Sequence, residues 1–368
     1  MYNKMKTGAL AFVCAALVLC AGCSAAENSS SAEATPSPTA APTATAEPTA
    51  EPTAEPTAEP TEAPEAFTPA TYEVASLKGP TTMGMVKLMQ DAENGETANT
   101  YNVTMYGTAD EITAGIANKT IDIANVPCNL ASVLYNKTEG GIKLLDINTL
   151  GVLYVVETGE SIQSVEDLKG KTIYSTGKGT TPEFALNYIL RENGIDPETD
   201  VTIEWKSEHS ECVASLAATE NAIAMLPQPF VTTAQTQNEN LRVALDMTEE
   251  WEKLASESGS DATLITGVVV ARKDFVEQNP QLVSVFLSLY EKSVTYANEE
   301  VEGAAKLIGE YDIVPEAVAQ KALPECNITF IAGDEMQAKL SAYLQTLMDQ
   351  NPKAVGGQLP ADDFYYLG

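Results

Sequence analysis

The run Ser175-Thr176-Gly177-Lys178-Gly179-Thr180-Thr181-Pro182-Glu183 decides how this chain is read. A strand-like run, 171–174, breaks there into two glycines and enters a segment whose apolar residues recur at helical spacing. Earlier in the chain, Leu77-Lys78-Gly79-Pro80-Thr81-Thr82-Met83 follows the strand-like run 72–76 and also opens a helix. Each stretch is a glycine-loosened loop with paired threonines at a helix start. Free backbone N–H groups and the positive end of the helix dipole favour an anionic or strongly polar group at such a place. Two such loops predict a ligand gripped from both sides.

Outward from these loops, strand-like and helical runs alternate. The first half reads 72–76 then 82–92, 101–106 then 110–118, and 121–125 then 128–135, with Thr108-x-x-Glu111 predicting a capping box. The β-rich run 142–157, with Gly151 inside it, is suited to crossing into another lobe. The alternation then restarts: 171–176 then 182–191, 201–205 then 211–218, 222–226 then 230–237, and 241–246. Glu93-Asn94-Gly95 ends the first helix of one half and Glu192-Asn193-Gly194 that of the other. Ala114, Ala117, Ile123 and Ala124 fall opposite Ala214, Ala217, Ile223 and Ala224. Two lobes of one design explain the match, and common alanine in any two βα units is the plainer explanation. The β-branched run 263–271 is the expected return crossing, with helices at 280–297, 300–308, 315–323 and 334–348. The expected division is therefore 71–151 with 263–368 in lobe one and 152–262 in lobe two.

Length and charge bound the function. The net charge is −31, and two lysines against eight glutamates before residue 71 leave −25 on the remaining 298 residues, enough for two cores. So acidic a body argues against nucleic acid and anionic membrane surfaces as partners. Lys4 and Lys6 precede an apolar run, 9–19, too short to span a membrane, which predicts an export signal over 1–22. Ala21-Gly22-Cys23 is similar to the end of a bacterial lipobox and predicts a lipid anchor on Cys23, although Cys20 stands where that pattern prefers leucine. Residues 23–70 are rich in Pro, Thr, Glu and Ala, with Glu-Pro-Thr-Ala repeated from Glu47; such a tether has no apolar face and extends by about 3.1 Å per residue. Cys128, Cys212 and Cys326 form no paired spacing, so neither a disulfide framework nor a zinc site is expected, and no cofactor is implied.

Several residues invite a site reading beside a plainer one. Thr81, Thr82, Thr180 and Thr181 suit helix capping or ligand oxygen equally. Lys78 and Lys178 add local positive charge, or are solvated loop lysines. Asn125 and Asn129 flank Pro127 where a strand leaves the sheet, the end at which open α/β sheets bind ligands. Gln228 and Phe230 hold the matching place in the other half, with Phe230 also readable as core. His209, the only histidine, reads as an exposed helix-start residue with a cleft position as the alternative. One histidine without a neighbouring cysteine gives a hydrolytic triad little support. Tyr154, in the first crossing, is a candidate ligand residue at the floor of the cleft, and Trp205 and Trp251 read as packing residues.

Lys78-Gly79-Pro80-Thr81-Thr82, the segment 115–127 ending in Ile-Asp-Ile-Ala-Asn-Val-Pro, Val165-Glu166-Asp167-Leu168-Lys169-Gly170-Lys171 and Val268-Val269-Val270-Ala271-Arg272-Lys273 together resemble the substrate-binding proteins of ABC importers. Within that class they resemble the SsuA-like group, which also holds binders of thiamine-precursor pyrimidines. The resemblance implies a type II periplasmic-binding-protein fold, two α/β lobes joined by a two-strand hinge. It implies capture of a sulfonate, taurine, nitrate or pyrimidine, without catalysis, for an ABC permease and its ATPase. The corresponding ligand loops hold Gly79, Pro80, Thr81 and Thr82; Asn125, Pro127, Cys128 and Asn129; Thr176, Gly177, Lys178, Gly179, Thr180 and Thr181; and Gln228 with Phe230. Two other classes stay open: an enzyme on the same scaffold, such as the menaquinone-pathway dehydratases, and a ligand-sensing subunit for a membrane receptor. The export signal argues against the enzyme.

Overall fold

Runs of β-branched and aromatic residues become strands wherever glycine, asparagine or proline stops them, and their order builds two sheets. The computed structural model describes residues 68–368. The export signal, Cys23 and the tether up to residue 67 lie outside the described residues.

The first half comprises β1 (Thr71–Leu77), α1 (Pro80–Met83), α2 (Val86–Glu93), β2 (Thr100–Tyr106), α3 (Ala109–Ala117), β3 (Ile123–Pro127), α4 (Cys128–Lys137) and β4 (Ile142–Leu150). The second comprises β5 (Leu153–Glu157), β6 (Thr172–Ser175), α5 (Thr181–Glu192), β7 (Thr202–Trp205), α6 (His209–Ala218), β8 (Ile223–Pro227), α7 (Phe230–Gln237), β9 (Arg242–Asp246) and α8 (Met247–Ser258). The chain returns through β10 (Ile265–Arg272) to α9 (Lys273–Gln278), α10 (Pro280–Glu299), α11 (Val301–Glu310), α12 (Glu316–Ala322), β11 (Ile328–Ile331) and α13 (Gly333–Gln350).

One sheet runs β11-β4-β10-β3-β1-β2 and the other β7-β6-β8-β5-β9. Read from the β2 and β7 edges, the two orders match over five strands, and β11 is an addition to the first sheet. β1 pairs in parallel with β2 and β3, and β6 does so with β7 and β8. The fourth strand is antiparallel in both sheets, β10 beside β3 and β5 beside β8, and in each it is a strand that has just crossed from the other half. The register carries the sequence overlay into three dimensions: Val74 faces Ile123 and Ala75 faces Ala124, while Ile173 faces Ile223 and Tyr174 faces Ala224. Central strands β3, β5 and β8 are buried on both faces, which is why they read as largely apolar runs, broken only by Asn125 and Glu157; the edge strands β2 and β7 alternate.

The crossings lie at Gly151-Val152, between β4 and β5, and between α8 and β10. Trp251 of α8 joins the halves there. It is wholly buried, with its ring 4.5 Å from Tyr188 of α5 and 5.2 Å from Tyr343 of α13, and its indole N–H donates to the Ala262 carbonyl at 3.0 Å.

Three local expectations change. The helix expected over 82–92 is two helices, because Gly84 and Met85 turn the chain and Met85 leaves helical geometry (φ −107°, ψ 5°). Thr108 takes the N-cap position of α3, but its side chain makes no cap bond; Asp110 and Glu111 offset the helix dipole instead. The reciprocal box forms in the other half, between Glu208 and Glu211. Finally, α8 and β11 are elements that the strand and helix expectations do not include.

Candidate functional site

Both threonine loops leave the carboxyl ends of equivalent strands, β1 and β6, the ends at which open α/β sheets bind ligands. Gly79 (φ 141°) caps α1 with Pro80 in its first turn, and Thr180 caps α5 with Pro182 in its first turn. Gly177 has φ 78°, and a side chain there would meet Thr180 Oγ1 at 2.8 Å and the Pro182 ring at 2.9 Å, so the bend needs glycine.

In this arrangement the four threonine hydroxyls have protein partners. Thr81 Oγ1 donates to the Leu77 carbonyl at 3.0 Å, and Thr82 Oγ1, fully buried, lies 2.5 Å from the same carbonyl and 2.7 Å from Ser76 Oγ. Thr180 Oγ1 donates to the Gly177 carbonyl at 2.7 Å, and Thr181 Oγ1 to Asn129 Oδ1 at 3.3 Å. Asn125 binds the first loop from below: its Nδ2 donates to Ser76 Oγ and to the Thr81 carbonyl, each at 3.0 Å.

Asn129 belongs to the first sheet's half, yet its partners Thr181 and Gly179 belong to the second. Phe230 likewise packs against apolar residues of both halves. Tyr154 on β5 donates to the Glu325 carbonyl at 3.4 Å, and burial raises its phenol. The lobes are thus drawn together around these residues.

His209 is half-buried at the start of α6. Its Nδ1 is 2.8 Å from Thr176 Oγ1 and its ring lies 4.4 Å from that of Phe230, tilted by 31°. Burial lowers its pKa from 6.5 to about 4, so the imidazole is neutral at pH 7. The ring is partly buried against Thr176 and Phe230 and is not the fully exposed helix-start residue expected; no spacing in the sequence signals that it meets Phe230. Gln228 instead serves its own helix, its Oε1 accepting from the amide and hydroxyl of Thr232. Cys128 is buried and burial pushes its thiol up; Pro127 is buried beside it at the start of α4. Lys178 is exposed.

A cavity of about 430 Å³ opens between the halves beside Phe230. Ser210, Val213 and Phe230 line one wall, and Lys78, Asp312 and Val314 the other. The Ile313-Val314-Pro315 segment on that wall follows α11, in the gap between the expected helices 300–308 and 315–323. A second hollow, of about 410 Å³, lies beside Tyr135 and Gln358 and is lined by none of the expected site residues.

Beneath the first loop the sheet carries a polar row. Ser76, Asn125 and Asp146 align across β1, β3, β10 and β4 through Val269. Asp146 is fully buried, neither of its oxygens has a hydrogen-bond partner, and burial raises its carboxyl well above the usual carboxylate range. Burial there favours the protonated form of the carboxyl.

Comparisons with known proteins follow this geometry. Residues 94–308 match the family model described as "ABC transporter, phosphonate, periplasmic substrate-binding protein". No curated protein sequence matches the chain. Among solved structures, an ABC transporter from Parabacteroides distasonis superposes with a TM-score of 0.66 at 22% identity, over 80% of this chain and 98% of that one. The periplasmic aliphatic sulphonate binding protein SsuA from Escherichia coli gives 0.64 at 14% identity, over 81% and 96%. The alkanesulfonate-binding protein SsuA from Xanthomonas axonopodis pv. citri, bound to MOPS, gives 0.63 at 15% identity, over 80% and 96%. At these identities the superpositions establish the periplasmic-binding-protein fold. Among the described residues, no helix is long and apolar enough to cross a membrane.

Proposed function

The chain belongs to the family of periplasmic substrate-binding proteins of phosphonate ABC transporters, and from that membership we propose that it captures a small phosphonate or sulfonate between its lobes and delivers it to an ABC permease with its ATPase. Phosphonate is a class that the sequence reading, with its sulfonates, taurine, nitrate and pyrimidines, did not include. The observation that supports the proposal is the meeting of the two halves at Asn129, Thr181 and Phe230, close in the chain to the equivalent loops Gly79 to Thr82 and Thr176 to Thr181. Hinge motion at the Gly151 crossing and at the return into β10 opens and closes it. The lobes are 71–151 with 263–368, and 152–262. The protein binds without turning its ligand over. It works outside the cytoplasm, carried by a lipid on Cys23 and the tether 23–70.

A thermal-shift panel of alkylphosphonates, alkylsulfonates, taurine, nitrate and pyrimidines tests this. A true ligand at a hundred times its Kd adds about 2.7 kcal/mol of stability, a shift of a few degrees for a protein of this size. A shift with phosphonates or sulfonates is the expected result. No shift with either class contradicts the proposal.

A further inference from the structure

Besides the Asp146 oxygens, three buried polar atoms near the first threonine loop have no hydrogen-bond partner among the described residues: Asn125 Oδ1, Asn148 Nδ2 and the Tyr290 hydroxyl. Each of these residues is at most 1% exposed. Polar groups left so in a folded core cost stability and call for a reason. Both amides lie against the loop. Asn125 Nδ2 donates to the Thr81 carbonyl at 3.0 Å and touches Met85 Sδ at 3.1 Å. Asn148 comes from β4, which bulges where Gly267 pairs with Thr149 and Val268 with Ile147, so that Asn148 is the extra residue. A Cβ on Gly267 would stand 2.5 Å from Asn148 Oδ1 and 2.7 Å from Thr81 Cγ2; the amide and the Thr81 methyl group therefore converge over that glycine.

Tyr290 comes from α10. Its ring stacks on Phe286 at 5.6 Å, and Ser293, one turn further on, accepts from the Leu88 amide of α2 at 3.1 Å. The hydroxyl is 3.8 Å from where a Cβ on Gly84, the residue that ends α1, would stand. Burial raises the phenol well above its usual value and Asp146 adds to the rise, while the Asn148 and Asn125 amides, within its reach, oppose it. The three unpartnered atoms are a donor, a group that both donates and accepts, and an acceptor, so they complete one another in a single chain.

We propose that Tyr290 is a positioning residue of the ligand site: its hydroxyl accepts from Asn148 Nδ2, donates to Asn125 Oδ1, and through the two amides sets the loop 79–82 that receives the ligand's anionic group. The inference rests on the function proposed above and extends its site to a residue on α10 that need not touch the ligand. Both amides meet the loop at Thr81, so an error in either displaces the same turn of chain. Buried polar groups that pair fully hold one arrangement, and a loop held in one arrangement binds without first being ordered.

The test compares Tyr290→Phe with Tyr72→Phe in the full chain. Each removes a buried hydroxyl that has no partner among the described residues, from the same apolar core. Tyr72 lies near the start of β1, roughly 16 Å along the strand from the loop. In Tyr290→Phe the amides of residues 82–85 are expected to exchange with solvent about tenfold faster, and ethylsulfonate to bind about tenfold more weakly by calorimetry. In Tyr72→Phe both readings stay at the values of the unaltered protein. Asn148→Ala added to Tyr290→Phe brings little further loss of affinity, because both substitutions break one chain. Equal exchange and affinity in Tyr290→Phe and the unaltered protein overturn the inference and leave the proposed function standing, as do equal losses in the Tyr72 and Tyr290 variants. If Tyr290→Phe fails to fold, Asn148→Ala alone carries the same comparison with the same outcomes. Failure of both ethylsulfonate and ethylphosphonate to bind the unaltered protein overturns the function and the ligand role of Tyr290 together.

Discussion

Asn129 of α4 and Thr181 of α5 bind one another across the two lobes: Thr181 Oγ1 donates to Asn129 Oδ1 at 3.3 Å, while Asn129 Nδ2 donates to the Ala354 carbonyl at 3.1 Å and reaches the Gly179 carbonyl at 3.5 Å. Both residues are wholly buried. One amide thus ties the first lobe to the glycine loop of the second and to the segment after α13. Asn129→Ala leaves the Thr181 hydroxyl and the Ala354 carbonyl without partners. The expected cost is about 2 kcal/mol, read as a lower urea midpoint with an unchanged slope. A midpoint equal to that of the unaltered protein contradicts the tie.

The crossing at Gly151 is tight. A Cβ built there stands 2.1 Å from Thr248 Oγ1 and 2.9 Å from its Cβ. Gly151→Ala must push α8 away from the crossing, and a destabilisation of about 1–3 kcal/mol is expected from such overpacking. Thr248→Ala in the same chain removes the obstructing hydroxyl and should restore most of the loss. Additive losses in the double variant contradict the contact.

Asp146 makes stability depend on pH in a predictable direction. Its folded-state carboxyl is raised by burial, whereas an unfolded aspartate ionises near about pH 4. The folded state therefore keeps a proton that the unfolded state gives up. Its contribution is complete below about pH 4 and is lost as pH rises towards the folded value. Asp146→Asn, which cannot ionise, should gain on the unaltered protein as pH rises above about 4 in urea melts. A difference between the two that stays constant with pH contradicts the assignment.

His209 works in the other direction. Its folded pKa of about 4 lies below the unfolded value of 6.5, so the stability it contributes is present above pH 6.5 and is lost as pH falls towards 4. Over that window the unaltered protein should lose about 2 kcal/mol more than His209→Phe. Parallel acid melts for the two proteins contradict a buried neutral imidazole.

Cys23 lies outside the described residues, and its lipid is part of the proposal. Cys23→Ala should move the protein from the membrane fraction to the soluble one. Unchanged membrane association contradicts the anchor.

Much of the fold was legible because strands buried on both faces and stopped by proline or glycine, such as Ile123–Pro127 and Ile223–Pro227, announce themselves in sequence. The repeat was legible for the same reason: Ile123 and Ile223 occupy the same place in matching sheets. What escaped depends on tertiary contact. The hydrophobic spacing of Met247, Trp251, Leu254 and Ala255 is helical, but the short strand Ile328–Ile331 exists only because β4 lies beside it. The site was legible as loops and not as contacts. Paired threonines mark a helix start, whereas the engagement of Thr181 by Asn129, the packing of His209 against Phe230 and the alignment of Asp146 with Asn125 through Val269 join residues far apart in the chain. No local pattern encodes those meetings.

The central claim is capture of a small phosphonate or sulfonate between two closing lobes. Calorimetric titration with ethylsulfonate, with small-angle scattering recorded on the same samples, tests it most directly. Saturable one-to-one binding, with a radius of gyration in the bound state no larger than in the free state, is the predicted result. Heat-free titrations with ethylsulfonate and with ethylphosphonate at pH 6, where the monoanion prevails, would contradict it.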